Sequence, residues 1–392
     1  MYSKGNKEMK SLLSKTKKLD VTKATLIIET ILIFGVFSVL TKGTFLSSRN
    51  LNNILLQSCT YAIMGIGIVF VMVSGNMDLS GGSALGFICA VAAVLQVNGV
   101  GTLPTIVIMI LCGLLIGAWQ GFWVAYMGLP SFIVTLAGML IFRGLCMWVG
   151  HSSTVGPVTE SFGRIGSGYI NGLFSLDAKN TVLLLGALVL AVFVVMQIIK
   201  WRRQSRLDVQ KNFKVYLIST CFAAAGIIIG TIVLYKYRGM PYAILVLIVL
   251  ALVFTYVARN TTFGRYVFAI GGNVEATKLS GVNTKKNVLS VYMLAGFLVA
   301  MAALVYLGRV SNSTASTGKD FEFTAITGCI VGGVSTLGGV GSIPYAILGI
   351  VLMSGLDTGM SLLDIDSTYQ YMVRGLVLII AVAIDVYSKR DR

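Results

Sequence analysis

Residues 60–90 read TYAIMGIGIVFVMVSGNMDLSGGSALGFICA, in which two apolar runs are separated by a short, glycine-rich polar break. A run of about 20 mainly apolar residues crosses the hydrocarbon layer as a helix, because helical hydrogen bonds satisfy the backbone polar groups internally. Both runs reach this length when their flanks are included. The stretch therefore predicts two membrane-spanning helices joined by irregular backbone.

The rest of the chain repeats this pattern, so the sequence predicts an all-α, polytopic membrane bundle. Of its 392 residues 56% are hydrophobic and only 12% are charged, which is more apolar surface than one soluble core would bury. We expect about ten core spans and one extra hairpin, which makes about twelve segments. The predicted segments are 24–40, 52–73, 83–99, 103–126, 131–150, 181–199, 215–234, 240–258, 287–307, 323–337, 341–360 and 368–386.

The net charge of +16 does not indicate a nucleic-acid partner, because the basic residues form short clusters between apolar runs. An even number of spans places both termini on one side of the membrane. If that side is the cytoplasm, the inner segments carry 21 of the 31 Lys and Arg residues and the outer loops carry 8. Since short cytoplasmic loops are enriched in Lys and Arg, this asymmetry predicts that both termini are cytoplasmic.

The same reading predicts the domain organisation. A basic cytoplasmic tail covers residues 1–23, and one transmembrane domain covers 24–392. Within that domain we expect the extra hairpin at about 181–236 and a cytoplasmic loop at 259–286.

Four stretches interrupt the apolar pattern without reading as ordinary water-exposed loops. The first, second and third breaks are GNMDLSGGS (75–83), MGLPS (127–131) and VGGVSTLGGVGSIP (331–344), and the fourth is the cytoplasmic run FGRYVFAIGGNVEATKLSGV (263–282). Glycine-rich backbone at membrane depth is tolerated only where protein or a water-filled cavity surrounds it, so the breaks are expected to face inward. LSGGS at 79–83 resembles LGGVGS at 337–342, which hints at two related halves, a common plan in transporters.

The chain lacks the motifs of an enzyme or an ATPase. It contains no GxxxxGK[ST] phosphate-binding string, no GxSxG string and no Cys/His or His/Glu pair at catalytic or metal-binding spacing. We therefore expect no catalytic residues, no cofactor and no metal. The six cysteines fall in or beside apolar runs and read as packing residues.

Few ionisable residues lie within the apolar segments, and an ion-coupled carrier would be expected to carry a buried carboxylate cluster. They are Glu29, Asp78, Arg143, Asp357 and Arg374. Asp78 either bonds backbone N–H groups of its own break, or contacts a polar solute or controls the gate. The two arginines read as packing anchors or as partners of an acid.

The cytoplasmic break has a different character, because a short helical stretch at Val274–Leu279 is flanked by glycines. One interpretation is a docking element for another subunit. The other is an ordinary connecting loop.

The strings GNMDLSGGS (75–83), GLPSFIVTLAGMLIFRG (128–144), TTFGRYVFAIGGNVEATKLSGV (261–282) and TGCIVGGVSTLGGVGSIPYAILGIVLMSGLDTGMSLL (327–363) resemble the ribose/xylose/galactoside permease family of bacterial ABC importers. The resemblance covers most of the chain outside the tail and about 181–236. That extra hairpin is similar to the xylose or multiple-monosaccharide branch.

The resemblance implies a vitamin B12-importer-like permease in the bacterial inner membrane that translocates a monosaccharide, xylose or a related pentose or hexose. Its implied partners are an ATPase with two nucleotide-binding cassettes, an extracytoplasmic sugar-binding protein, a second permease subunit in a homodimer, and membrane lipid.

The resemblance also implies two groups of site residues. The ATPase-coupling group is Gly272, Asn273, Glu275, Ala276, Lys278, Leu279, Ser280 and Gly281. The substrate-path candidates are Asn76, Asp78, Ser80, Ser83, Ser335 and Ser342. The chain departs from the family pattern at Gly81, Val340 and Asp357, where Val, Arg and Asn are usual.

Two rival functions follow from the residues alone. An ion-coupled secondary transporter of a small polar solute would take up its substrate along an ion gradient, without an ATPase. A polytopic membrane enzyme would act on a lipid and would need a cluster of catalytic polar residues.

Overall fold

The computed structural model describes residues 26–170, 177–205 and 213–389. The predicted basic tail at 1–23 and the centre of the basic turn in the extra hairpin lie outside these residues. Regular structure in the described ranges is helical, and an isolated antiparallel bridge joins Val155 to Ser313.

The helices are α1 (Leu26–Leu40), α2 (Ser48–Val73), α3 (Gly81–Val97), α4 (Thr102–Ala125), α5 (Ser131–Val149), α6 (Glu160–Ser167), α7 (Ala178–Ser205), α8 (Phe213–Lys236), α9 (Tyr242–Asn260), α10 (Thr262–Gly272), α11 (Val274–Leu279), α12 (Thr284–Val310), α13 (Phe321–Val331), α14 (Ile343–Leu362) and α15 (Ser367–Lys389), with a 3-10 helix at Thr44–Leu46. Twelve of these described helices follow the predicted apolar runs, α11 is the predicted short cytoplasmic helix, and α6 and α10 were not predicted.

By length and composition, eight of the described helices can cross a membrane, and there are shorter apolar helical stretches at Leu26–Leu40, Gly81–Val97, Ala224–Lys236 and Phe321–Val331. The all-α polytopic prediction is confirmed. The segment predicted at 323–337 is too long, because α13 ends at Val331 and the chain turns at Gly333, whose φ of +84° is left-handed. Residues 332–342 are non-helical and form the third glycine-rich break.

The chain divides into two compact units. One unit comprises Met1–Asn52 and Tyr169–Met240, and the other comprises Asn53–Gly168 and Pro241–Arg392. In the first unit α7 contacts α8, so the extra hairpin is a pair of packed helices. The domain bounds drawn from the sequence stay a prediction.

The second unit is built around α12, which contacts α3, α4 and α6. Gly113, Gly117 and Gly121 recur every four residues on α4 and face α12. A methyl group at Gly117 would overlap the Tyr292 carbonyl oxygen, so the two backbones approach as closely as helices can. Small residues at this spacing bring membrane helices together, because apolar side chains gain nothing by leaving lipid for each other.

Candidate coupling element and substrate path

The candidate coupling segment folds as a short helix because its own sequence caps it. Asn273 precedes α11, and its Oδ1 accepts a hydrogen bond from the Ala276 amide at 2.9 Å. At the other end Ser280 bonds back to the Ala276 carbonyl, and Gly281 has a left-handed φ of +82°. Asn283 then caps α12 through the Lys286 amide at 3.0 Å. The predicted helix at Val274–Leu279 is therefore confirmed.

Nearly all of this segment is exposed. Gly272, Asn273, Glu275, Ala276, Lys278, Ser280 and Gly281 are exposed, with Leu279 the extreme at 88%. Thr277, which the candidate list omits, is buried and bonds the Asn273 carbonyl at 2.7 Å. An ordered helix that exposes a large apolar side chain and a charge of each sign has the chemistry of a docking surface.

Three separate segments meet at glycines where α10 ends, and we call this contact the glycine junction. It comprises Gly271 from α10, Val73 and Gly75 from the end of α2, and Gly338 and Gly339 from the third break. The Gly339 amide donates to the Val73 carbonyl at 2.9 Å. A methyl group at Gly271 would overlap that same carbonyl oxygen and lie 2.6 Å from the Gly339 nitrogen. The base of the coupling element thus touches both glycine-rich breaks through backbone alone.

In the first break, the polar side chains bond one another. Asp78 Oδ1 accepts from the amide and hydroxyl of Ser80, at 2.8 and 2.7 Å, and Gln120 of α4 donates to the Ser80 hydroxyl. Asp78 and Ser80 are buried, whereas Asn76 is half-buried and bonds Ser74 at 3.0 Å. Asp78 thus bonds one backbone amide of its own break, that of Ser80, and its contact with a solute or control of a gate stays a prediction.

The cavity beside these residues lies between α3, α4 and α12, and Asp78, Ser80 and Gln120 supply its polar lining. Its volume of about 10 Å³ is room for one water molecule and no more. A monosaccharide does not fit there in the present conformation. Whether the path candidates contact a solute in another conformation stays a prediction.

The third break is tied to its neighbours by side chains. The Thr336 amide and hydroxyl both donate to Asp385 of α15, at 3.0 and 2.9 Å. Ser335 is buried and accepts from the Leu337 amide, whereas Ser342 is half-buried and lies 3.4 Å from an Arg259 nitrogen. Ser335 and Ser342 therefore shape this loop within the single chain.

Two buried polar atoms near the start of α3 lack hydrogen-bond partners among the described residues. They are the Ser83 hydroxyl, a predicted path residue, and Glu322 Oε2 at the start of α13. Sequence reasoning missed Glu322 because it placed this residue just before an apolar run. The sequence pattern gives little indication of its burial, because a single acidic residue just before an apolar run is usually an interfacial group.

The two arginines within spans have different surroundings. Arg374 forms an ion pair with Asp357 at 2.8 Å, so the negative charge of this acid is balanced within the chain. Arg143 makes no ion pair with a described residue, and its Nη1 donates to the carbonyls of Ala315 and Thr317.

Comparison with known proteins gives consistent results. The family model described as branched-chain amino acid transport system / permease component matches residues 50–382. The xylose transport system permease protein XylH of Haemophilus influenzae is 39% identical over 385 residues, covering 96% of this chain and 99% of that protein. The galactose/methyl galactoside import permease protein MglC of Escherichia coli K12 is 30% identical, covering 96% of each chain. The ribose import permease protein RbsC of H. influenzae is 29% identical, covering 88% and 87%. No solved structure matches the chain.

Proposed function

Since this chain belongs to the family of branched-chain amino acid transport system permease components, we propose that it is the membrane-spanning subunit of an ABC importer for a monosaccharide. One observation carries the proposal beyond family membership. The coupling helix α11 is capped and exposed. Gly271, just before it at the end of α10, contacts the first and third glycine-rich breaks. Such an element is suited to receive force from a separate protein and to pass it into the membrane domain.

The substrate we propose is xylose or a closely related sugar. Identity to the xylose permease is 39%, against 30% and 29% for the galactoside and ribose permeases. The family description names branched-chain amino acids, so these are the alternative substrate class. A zwitterionic amino acid would need paired charges along its path, whereas a neutral sugar needs hydroxyl and amide groups. The path candidates are serines, one Asn and an internally bonded Asp, which favours the sugar.

The partners follow from the same proposal. An ATPase with two nucleotide-binding cassettes binds α11 on the cytoplasmic side, an extracytoplasmic sugar-binding protein delivers substrate, and a second copy of this chain completes the path within the lipid bilayer. The excess of Lys and Arg in the inner segments supports cytoplasmic termini in the inner membrane of a bacterium.

The mechanism we propose is alternating access driven from outside the chain. Closure of the two cassettes on ATP pushes α11, and the displacement enters the glycine junction because no flexible side chain lies between the backbones there. The first break, which follows α2, and the third break then move together, and both carry path candidates. This motion opens the path toward the cytoplasm.

Uptake by proteoliposomes that contain the permease, with and without its ATPase and binding protein, tests this proposal. We expect xylose uptake that requires ATP inside and all three components, with weaker uptake of ribose and galactose and none of leucine. Uptake by the permease alone along a proton or sodium gradient would establish the rival secondary transporter instead.

Two charge reversals of exposed lysines provide a matched comparison. Lys278→Glu on α11 should reduce coupled uptake, whereas Lys42→Glu, in the predicted outer loop at 41–50, should leave it unchanged. Equal effects of the two reversals would argue against α11 as the docking element.

A further inference from the structure

The loop at 311–320 lies on the first turns of α3, over a face that has no side chains. A methyl group at Gly82 would overlap Gly318 and Glu322, and one at Gly86 would overlap the Thr317 carbonyl oxygen. The loop reaches this position through left-handed residues at Ser311, Gly318 and Asp320. The loop therefore covers the α3 backbone directly, and positions 82 and 86 leave no room for a side chain.

Two side chains of helix α5 contact the backbone carbonyl groups of this loop. Arg143 Nη1 donates to Thr317 at 2.8 Å and to Ala315 at 3.2 Å. Cys146, almost one turn further along α5, is buried, and its Sγ lies 3.8 Å from the Thr314 carbonyl. Three contacts from one helix thus stabilise the position of a loop that is about 170 residues away in sequence.

Glu322 follows the loop directly and is incompletely bonded. Its side chain is 2% exposed, and Oε2 accepts no hydrogen bond from any described group. Among the described residues, the charges whose fields reach it belong to Asp320, Arg143 and Asp78. Arg143 is the only cation of the three. A buried carboxylate oxygen without a donor is costly, so a state in which it acquires one is favoured.

The two groups are within reach of each other along α3. Arg143 Nη1 would lie 3.6 Å from a methyl group at Gly86, and Glu322 Oε2 lies against Gly82. These glycines are one helical turn apart on the same face, which corresponds to a rise of about 6 Å. An arginine side chain covers that distance by rotation of its own torsions.

We propose that Arg143 is a two-position latch for the loop at 311–320, with the Glu322 carboxylate as its second position. In the conformation seen here the guanidinium holds the loop carbonyls, and the loop covers the start of α3. When the loop lifts, the guanidinium moves to Glu322, and the new ion pair replaces the two lost carbonyl bonds. Arg143 and Glu322 are thus positioning residues of a gate in the transport cycle, and this inference rests on the proposed function.

Cys146 supplies a reporter for the lifted loop. In a chain that retains only this cysteine, we expect a small permeant maleimide to label it slowly in the assembled importer at rest. Labelling should rise at least fivefold during ATP hydrolysis. Absence of that rise while ATP is being hydrolysed would overturn the latch, and this arm leaves residues 143 and 322 unchanged.

A double-mutant cycle tests the second position. Arg143→Gln should raise resting Cys146 labelling, and Glu322→Gln should abolish the rise during ATP hydrolysis. Each single variant should lower ATP-driven uptake about tenfold, and the double variant should be no worse than either, because both remove one interaction. Effects that multiply to about 100-fold would show independent structural roles and would refute the ion pair.

Two further measurements keep the test decisive. Arg143→Lys and Glu322→Asp retain the charges, so they should retain part of the labelling rise. If either glutamine variant fails to assemble, the Cys146 arm decides the outcome. Wild-type importer that hydrolyses ATP without moving xylose would contradict the proposed substrate and leave the labelling result, and hence the latch, to be judged separately.

Discussion

Replacing Gly271 with alanine tests whether the coupling element is joined rigidly to the two glycine-rich breaks. Gly271 is the penultimate residue of α10, next to the start of the coupling segment. Its added methyl group would overlap the Val73 carbonyl oxygen and lie 2.6 Å from the Gly339 nitrogen and 2.9 Å from the Val73 carbonyl carbon. Every one of these atoms is backbone, so no side chain can rotate away to make room.

The expected magnitude follows from three terms. Overpacking against backbone costs about 1–3 kcal/mol. Loss of the bond from Gly339 to Val73 costs about 1 kcal/mol more. The better helix propensity of alanine offsets about 0.5–1 kcal/mol. The net destabilisation is therefore about 1–3.5 kcal/mol.

The neighbouring glycine provides the control, because a methyl group at Gly272 meets nothing within 4 Å. Gly272→Ala should leave the stability unchanged or raise it by at most about 0.5–1 kcal/mol. Thermal unfolding of the purified variants in detergent measures the difference, which we expect to be at least a few degrees. Uptake per ATP hydrolysed, in the assembled importer, measures coupling, which we expect to fall in Gly271→Ala relative to wild type.

The outcome that refutes this reasoning is equality of the two variants. If Gly271→Ala unfolds at the temperature of Gly272→Ala and transports as efficiently as wild type, then the three segments are not in tight contact at the glycine junction. Reduced stability with unchanged coupling would confirm the close contact at the glycine junction. It would also show that this contact does not transmit movement from α11 to the breaks.

Three further predictions concern other parts of the chain. Leu279→Asp should weaken association with the ATPase about 10- to 100-fold without changing the unfolding temperature, as measured by co-purification, because the side chain is 88% exposed in the free subunit. Arg374→Met should destabilise the fold by about 2–3 kcal/mol, because it leaves Asp357 buried without its partner, and adding Asp357→Asn should restore much of this in thermal unfolding. The Thr368 hydroxyl and amide hold the pKa of Asp366 below its ordinary value, so the carboxylate stabilises the start of α15 above roughly pH 3.9 and loses this effect as the pH falls through the lowered pKa. Unfolding temperatures of wild type and Asp366→Ala should accordingly converge at acidic pH, and a constant difference would contradict the assignment.

The coupling helix illustrates what local sequence decides. Its bounds at Val274–Leu279 were predicted correctly because the signals lie within a few residues of it: Asn273 ahead of the helix, and Ser280 and Gly281 after it. The same is true of most apolar runs, since lipid requires long, internally bonded segments. The third break shows the limit, because α13 ends where Gly333 turns left-handed, although the apolar composition continues.

The arrangement of polar groups depended on contacts between distant segments. Nothing in the residues around Ser80 indicates that Gln120 of α4 bonds its hydroxyl. Likewise Glu322 becomes a buried, incompletely bonded acid only because the first turn of α13 packs against Gly82 of α3. Residues 240 positions apart carry no mutual signal in one sequence.

By itself, then, the chain's amino-acid order determined that it spans a membrane as helices, approximately where the apolar helices lie, and that a short helix flanked by glycines lies at Val274–Leu279. These features are fixed by hydropathy and by hydrogen bonds between near neighbours. Only the tertiary structure decided that Gly271, Gly75 and Gly339 share one contact, and that Arg143 holds loop carbonyls while Glu322 lacks a donor. The reason is physical: close backbone approach and burial of a charge are properties of packing, and packing is settled by all segments together.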